Sequence, residues 1–260
     1  MLHRARRRFS QNFLVDRPYI HRIISAIAPS ESDHIVEIGP GLGALTEPLL
    51  NAANRFDAIE IDRDVAQSLE ERFTVRGLKV HRADILDFDL ATLGTRLRVI
   101  GNLPYHISTP ILFAVDQTRN CVNDCHFMLQ REVVDRMVAA PGTAEYGRLS
   151  VMLQCRWQIN KLFDVPPTAF RPQPKIWSSV VHMLPEENAD IADAELFYRI
   201  VEAAFSKRRK TLRNALRELL IDADFEASDI DPGRRGETLS VTDFAALANQ
   251  LRSRLNASSE

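Results

Sequence analysis

The chain has 260 residues, 45% hydrophobic and 26% charged, which is the make-up of a globular protein with one large domain, or one large and one small. No apolar run approaches the ~20 residues that a bilayer span needs, and the Arg-rich start (Arg4, Arg6, Arg7, Arg8) leads into no apolar stretch; this argues against a secretory signal and for a basic arm on a cytoplasmic protein. A formal charge of −2 neither implies nor excludes a nucleic-acid partner, because clustering of basic residues decides that rather than their sum. Cys121, Cys125 and Cys155 are odd in number and lack paired zinc-type spacing, so they read as reduced structural thiols and no metal is expected.

In chain order, Asp16 is placed as an N-cap, with Pro18 in the first turn and Ile20, Ile23, Ile24 and Ile27 at helical spacing, which predicts a helix over 17–28. Residues 34–38 read as an apolar strand, followed by Gly39-Pro40-Gly41-Leu42-Gly43 and a helix over 44–51. Strands over 56–61, 78–81 and 97–100 alternate with a helix over 63–73; a helix over 107–115, a buried strand over 125–129 and a helix over 132–138 follow. Residues 148–154 fit helix or strand, and 157–165 with 178–184 read as an antiparallel hairpin at the sheet edge. The order predicts an α/β, Rossmann-like, seven-stranded sheet with helices on both faces and ligands at the carboxyl ends of its strands. After Pro185 the composition shifts and helices are expected over 194–205, 208–220 and 242–255, the last opened by a capping box of Ser240 and Asp243. We therefore divide the chain into a catalytic domain, 1–185, and a small helical domain, 186–260.

Glycines at 39, 41 and 43 let the backbone turn sharply and approach a ligand, and Glu60, closing the second strand, is placed to accept from ribose hydroxyls. A dinucleotide loop reads G-x-G-x-x-G; this one reads G-x-G-x-G, lacking the third glycine of the pyrophosphate site, so S-adenosylmethionine fits better than NAD. Asp84 after the third strand is placed to accept from the adenine amine, with Ile61 and Ile85 against its ring. At the end of the fourth strand stands Asn102-Leu103-Pro104-Tyr105. The Asn102 amide oxygen and the Leu103 carbonyl are two acceptors for an exocyclic amine, Pro104 fixes the backbone, and Tyr105 offers a ring for stacking. Phe170, in a loop stiffened by prolines 166, 167, 172 and 174, is a candidate cover for the other face of the base. Lys210, Arg213 and Arg217 at i, i+3 and i+7 would share one helical face suited to phosphates, with Arg171 and Lys175 adding to the basic surface.

Over nearly its whole length the chain resembles the KsgA (RsmA) type of small-subunit ribosomal RNA adenine dimethyltransferase. The resemblance is carried by Arg8-Phe9-Ser10-Gln11-Asn12-Phe13-Leu14, Val36 to Gly43, Asn102 to Tyr105, Phe127 to Gln130, Tyr146 to Val151, Pro166 to Phe170, and Arg208 to Asn214. It implies cofactor contacts from Asn12, Leu14, Gly39, Glu60, Asp84 and Asn102, and an RNA-binding Arg208. It also implies S-adenosyl-L-methionine as cofactor, and dimethylation of two adjacent adenosines in the 3′-terminal hairpin of 16S RNA during ribosome biogenesis. The implied partner is an immature 30S-type subunit met by a monomer, and loss of the modification goes with kasugamycin resistance. Alternatives are a large-subunit RNA methyltransferase of the antibiotic-resistance type, or a binding factor for assembly or transcription on the same scaffold. Two departures stand near the expected cleft: His106 where the family usually has Asn, and the pair Ile176-Trp177.

Overall fold

The computed structural model describes residues 12–207 and 209–257. The expected basic arm and Arg208 lie outside the described residues. In chain order the elements are β1 (Phe13–Leu14), α1 (Arg17–Ile27), β2 (His34–Ile38), α2 (Thr46–Leu50), β3 (Arg55–Ile59), α3 (Arg63–Phe73), β4 (Leu78–His81) and β5 (Leu97–Asn102). There follow α4 (Ser108–Gln117), β6 (Val122–Gln130), α5 (Arg131–Met137), α6 (Arg148–Gln154), β7 (Trp157–Val165), β8 (Phe170–Arg171) and β9 (Ser178–Pro185). The helices α7 (Ala194–Ser206), α8 (Leu212–Ala215), α9 (Asp222–Ala227) and α10 (Val241–Ala257) complete the chain.

The chain divides into two compact units: residues up to Val134 with Asn160–Pro185, and Asp135–Ile159 with the chain from Glu186 onward. The composition break after Pro185 is one junction; residues 135–159, which nothing in their composition sets apart, group with the later helices.

The expected α/β sheet forms, with seven strands in the order β4-β3-β2-β5-β6-β9-β7. The neighbours β3/β4, β2/β3, β2/β5 and β5/β6 are parallel, and β9 runs antiparallel to β6. The strands run outward from β2 in one direction to β4 and then restart on its other side with β5. This switch point leaves a crevice at the carboxyl ends of β2 and β5, where ligands bind in open α/β sheets. Its walls are rigid because the strands are apolar and covered on both faces: every residue of β2 is buried. The neighbouring helices are anchored likewise. Asp16 caps α1 by accepting from the Tyr19 amide, and α1 buries Ile23 and Ile27. α3 is capped by Asp62 and buries Val65, Ala66, Leu69 and Phe73. Each large apolar side chain so buried contributes about 1.5–3 kcal/mol. A two-stranded antiparallel sheet that the sequence did not announce joins β1 to β8, pairing Leu14 with Phe170 and Phe13 with Arg171.

In the second unit Phe197, Ile200, Leu212, Leu216, Phe225, Phe244 and Leu247 form one core. The reciprocal cap of α10 is present, the Ser240 hydroxyl accepting from the Asp243 amide at 3.1 Å and the Asp243 carboxylate from the Ser240 amide at 3.0 Å. The helix expected over 208–220 does not form: α8 is one turn long. The Leu212 and Arg213 amides donate to the carbonyls of Arg234 and Pro232, and a turn after Ala215 keeps Leu216 and Leu220 in the core. Tertiary packing overrides helical propensity here. Lys210, Arg213 and Arg217 therefore do not share a helical face; only Arg213 lies in α8.

Candidate active site

A cavity of about 310 Å³ occupies the switch point of the first unit. Asn12, Leu14, Gly39, Gly41, Glu60, Ile61, Asp84, Ile85 and Asn102, the expected cofactor set, all line it, as do Leu103, Pro104 and Tyr105. Its rim exposes Leu42, Ile61 and Leu86, each with 39–49% of its surface accessible, an apolar edge fit for the face of a flat ring. Among the described residues no lysine or arginine lines the cavity, whereas three carboxylates do: Glu37, Glu60 and Asp84. Such a set repels phosphate and favours a cation, which is what a sulfonium with a free amino group is.

The glycine loop is held from both sides. The Gly39 amide donates to the Ile59 carbonyl at 2.9 Å. Gly41 sits at φ +55°, and a Cβ there would stand 3.1 Å from the Phe13 ring that β1 lays over the loop. Glu60 follows β3 and is only 5% exposed; one oxygen accepts from the Asp62 amide at 2.9 Å and the other from the Gly41 amide at 3.4 Å. Burial raises its pKa against those hydrogen bonds. The cap of α3 is Asp62, so Glu60 has no capping duty. Asp84 accepts from the Leu86 amide at 3.0 Å in the turn after β4.

At the end of β5, the Asn102 side-chain amine donates to the Asn12 carbonyl at 3.1 Å. That bond uses one of the two N–H donors and orients the side chain, whose amide oxygen is its acceptor end. The Leu103 amide donates to the Met128 carbonyl of β6 at 3.1 Å, which holds in place the residue whose own carbonyl is the second acceptor. The Tyr105 hydroxyl lies 2.6 Å from Ser178 Oγ at the start of β9, and burial raises its pKa, so the ring is a neutral phenol clamped at its far end. His106 is exposed and borders the cavity.

Phe170 departs from its expected role. Its ring is fully buried in the core with Leu14, Ile100, Met128 and Val180 and does not line the cavity. Pairing of β8 with β1 turns it inward, so the proline-stiffened loop holds β1 and does not present a ring to a base. Ile176 and Trp177, next to Ser178, are instead the exposed apolar side chains of that stretch. Of the expected RNA contacts, Arg171, Lys175, Lys210, Arg213 and Arg217 are exposed. Arg213 pairs with Asp222 at 3.2 Å and Arg217 with Glu218 at 3.8 Å, which tempers their positive field.

Sequence reasoning missed Ser178, for which no local pattern exists, and Glu37, for which one does: an acid inside an otherwise apolar strand. Glu37 is fully buried on the cavity floor, accepts from Thr46 Oγ1 at 2.5 Å, and has its pKa pushed up to about 7 by burial and by nearby Glu60. Because the folded state holds this proton more tightly than the unfolded chain, stability is lost as pH rises from about 4.5 through 7, by about 3 kcal/mol in all. Glu37→Gln is expected to remove that loss. Urea unfolding at pH 5 and pH 8 should show the variant gaining on the wild type as pH rises, and parallel pH profiles would refute the assignment.

The chain matches the family described as "Ribosomal RNA adenine dimethylase" over residues 2–253. It is 56% identical over 251 residues to a protein of Aromatoleum aromaticum named ribosomal RNA small subunit methyltransferase A, covering 96% of this chain and 95% of that one. It is 50% identical over 255 residues to the Thiobacillus denitrificans protein of the same name, covering 97% and 100%. Among solved structures, a dimethyladenosine transferase from Plasmodium falciparum superposes with a TM-score of 0.81 at 24% identity, covering 95% of this chain and 98% of that one. The 23S ribosomal RNA methyltransferase ErmE superposes with a TM-score of 0.72, also at 24% identity, covering 93% and 100%. At that identity the two structures speak to the fold.

Proposed function

Because the chain belongs to the ribosomal RNA adenine dimethylase family, we propose that it dimethylates the exocyclic N6 amine of two adjacent adenosines. The methyl donor is S-adenosyl-L-methionine, and the substrate is the 3′-terminal hairpin loop of small-subunit RNA. The observation that carries this reading is the Asn102–Tyr105 turn opening onto a cavity lined by carboxylates and, among the described residues, by no lysine or arginine. Relatives with the small-subunit name match at 50–56% identity over nearly the whole chain, which favours this reading over a large-subunit enzyme.

When bound, the cofactor supplies a methyl group on a positively charged sulfur. Glu60 would accept from the ribose hydroxyls and Asp84 from the adenine amine, and these two carboxylates would favour the positive charge. The Asn102 oxygen and the Leu103 carbonyl grip the hydrogens of the target amine. That localises its lone pair on nitrogen and aims it, so positioning and charge complementarity supply the rate. Tyr105, clamped by Ser178, gives the extruded base a face to stack on. Extrusion costs a few kcal/mol and least in loop RNA. Primer extension across small-subunit RNA after incubation with protein and cofactor tests the reading: stops at two adjacent adenosines are expected, and stops in large-subunit RNA instead would overturn it.

A neutral amine attacking a sulfonium needs no prior deprotonation, so His106 is not the general base despite bordering the cavity. Single-turnover rates from pH 5.5 to 8.5 are expected to follow the same profile in the wild type and in His106→Asn, which should keep both methylations. An acidic limb in the wild type that vanishes in the variant would show that His106 takes the proton.

The RNA is held by Lys210, Arg213, Arg217 and, outside the described residues, Arg208, with Arg171 and Lys175 contributing from the catalytic unit. The partner is an immature small subunit, met by a monomer in the cytoplasm; no helix of the described residues is long and apolar enough to cross a membrane. Reversing charge at Lys210, Arg213 and Arg217 together should weaken RNA binding and reduce its salt slope by about 0.7–0.9 for each phosphate no longer neutralised, leaving cofactor affinity unchanged. Unaltered affinity at every salt concentration would remove these residues from the RNA surface.

A further inference from the structure

At the opposite end of the sheet from the cavity, β6 and β9 carry a polar cluster that methyl transfer does not use. His126 and His182 stand directly opposite each other across the antiparallel pair, and their rings stack with centroids 4.4 Å apart. Asp124, two residues before His126, points to the same face of the sheet and is paired in register with Arg98 of β5. Arg98 lies four residues before Asn102, about 13 Å along the strand.

The histidine–carboxylate distances in this cluster are longer than ordinary hydrogen bonds. Asp124 Oδ2 is 3.6 Å from His126 Nδ1 and 3.4 Å from His182 Nε2, and the three atoms all lie within 4.8 Å of one another. Hydrogen bonds of this kind close at 2.7–3.2 Å. Edges of about 3.3–3.4 Å are what a tetrahedron of ligands at 2.0–2.1 Å from a central ion requires. His126 is 6% exposed, and its Nδ1 has no hydrogen-bond partner among the described residues. A buried imidazole nitrogen thus faces a carboxylate oxygen beyond hydrogen-bonding distance, a pairing that a cation between the two atoms would satisfy.

We infer that Asp124 Oδ2, His126 Nδ1 and His182 Nε2 form a binding site for one divalent transition-metal ion, zinc in particular. Two imidazoles and a carboxylate suit zinc, whereas magnesium and calcium take all-oxygen sets and copper(I) prefers sulfur. The surroundings match what metal sites use around their ligands. Arg98 donates to both Asp124 oxygens, at 2.9 and 2.8 Å, taking one lone pair of each and leaving a second on Oδ2 for the ion. Asp33, 2.7 Å from Arg98, balances the guanidinium, so the pocket carries one net negative charge before the ion arrives. The His182 side chain is 23% exposed, which gives the ion a path in. Bound there, the ion ties β6 to β9.

The full-length protein, stripped with chelator and dialysed against micromolar zinc, is expected to hold one ion per chain and to melt higher than without metal. His182→Asn and His126→Gln should each weaken zinc binding by about tenfold or more and abolish the rise in melting temperature. His182 is partly exposed, so its variant should fold. Cobalt(II) should give the intense visible spectrum of a tetrahedral ion in the wild type and in Cys125→Ser. Failure to hold a stoichiometric ion, wild-type zinc affinity in both histidine variants, or loss of the spectrum in folded Cys125→Ser would each overturn the site.

Discussion

Asn102→Ala is expected to lower single-turnover methyl transfer at saturating cofactor by about 10³-fold while leaving RNA binding intact. The substitution removes one of two acceptors that orient the target amine, and losses of this size follow when a preorganised polar partner of the reacting atom is deleted. It also releases the Asn12 carbonyl, so cofactor affinity should fall, by a smaller factor, through loosening of β1 over the glycine loop. Asn102→Asp separates the two contributions. It keeps an oxygen at the amine but sets a carboxylate against the Asn12 carbonyl, so it should lose more cofactor affinity than the alanine variant. A near wild-type transfer rate in Asn102→Ala would remove the residue from the mechanism.

Gly101→Ala is expected to weaken cofactor binding at least tenfold and to lower stability by about 1–3 kcal/mol, the usual cost of overfilling a packed site. A Cβ at 101 would stand 2.7 Å from the Ile38 carbonyl oxygen and 2.9 Å from Leu103 Cδ2. Backbone cannot swing aside as a side chain does, so β5 must move off β2 at the level of the switch point. That displacement carries Asn102 and Leu103 with it. Calorimetric titration of the cofactor and urea unfolding read the two effects separately, and wild-type cofactor affinity in this variant would show that the close approach of the two strands does not shape the cavity.

How far the sequence alone reaches differs from one residue to the next. Asp16, Pro18 and the isoleucines of α1, the apolar run of β2 and the reciprocal Ser240–Asp243 cap were legible because each depends on neighbours within one turn or strand. The glycine loop, Glu60, Asp84 and Asn102 were legible as a set because the alternation of strands and helices places each at a strand end. Contacts between distant segments were not legible. β1 pairs with β8, turning Phe170 into the core and laying Phe13 over Gly41; Ser178 reaches Tyr105 from β9; Asp124, His126 and His182 meet only when β6 and β9 align. The same holds for residues 208–220, where helical spacing was real but the loop at 232–234 and the core claimed the backbone and the leucines. Local hydrogen bonding and periodicity are written in adjacent residues. Which face of a strand meets which partner is settled by burial of the whole sheet, and that free energy belongs to no single segment.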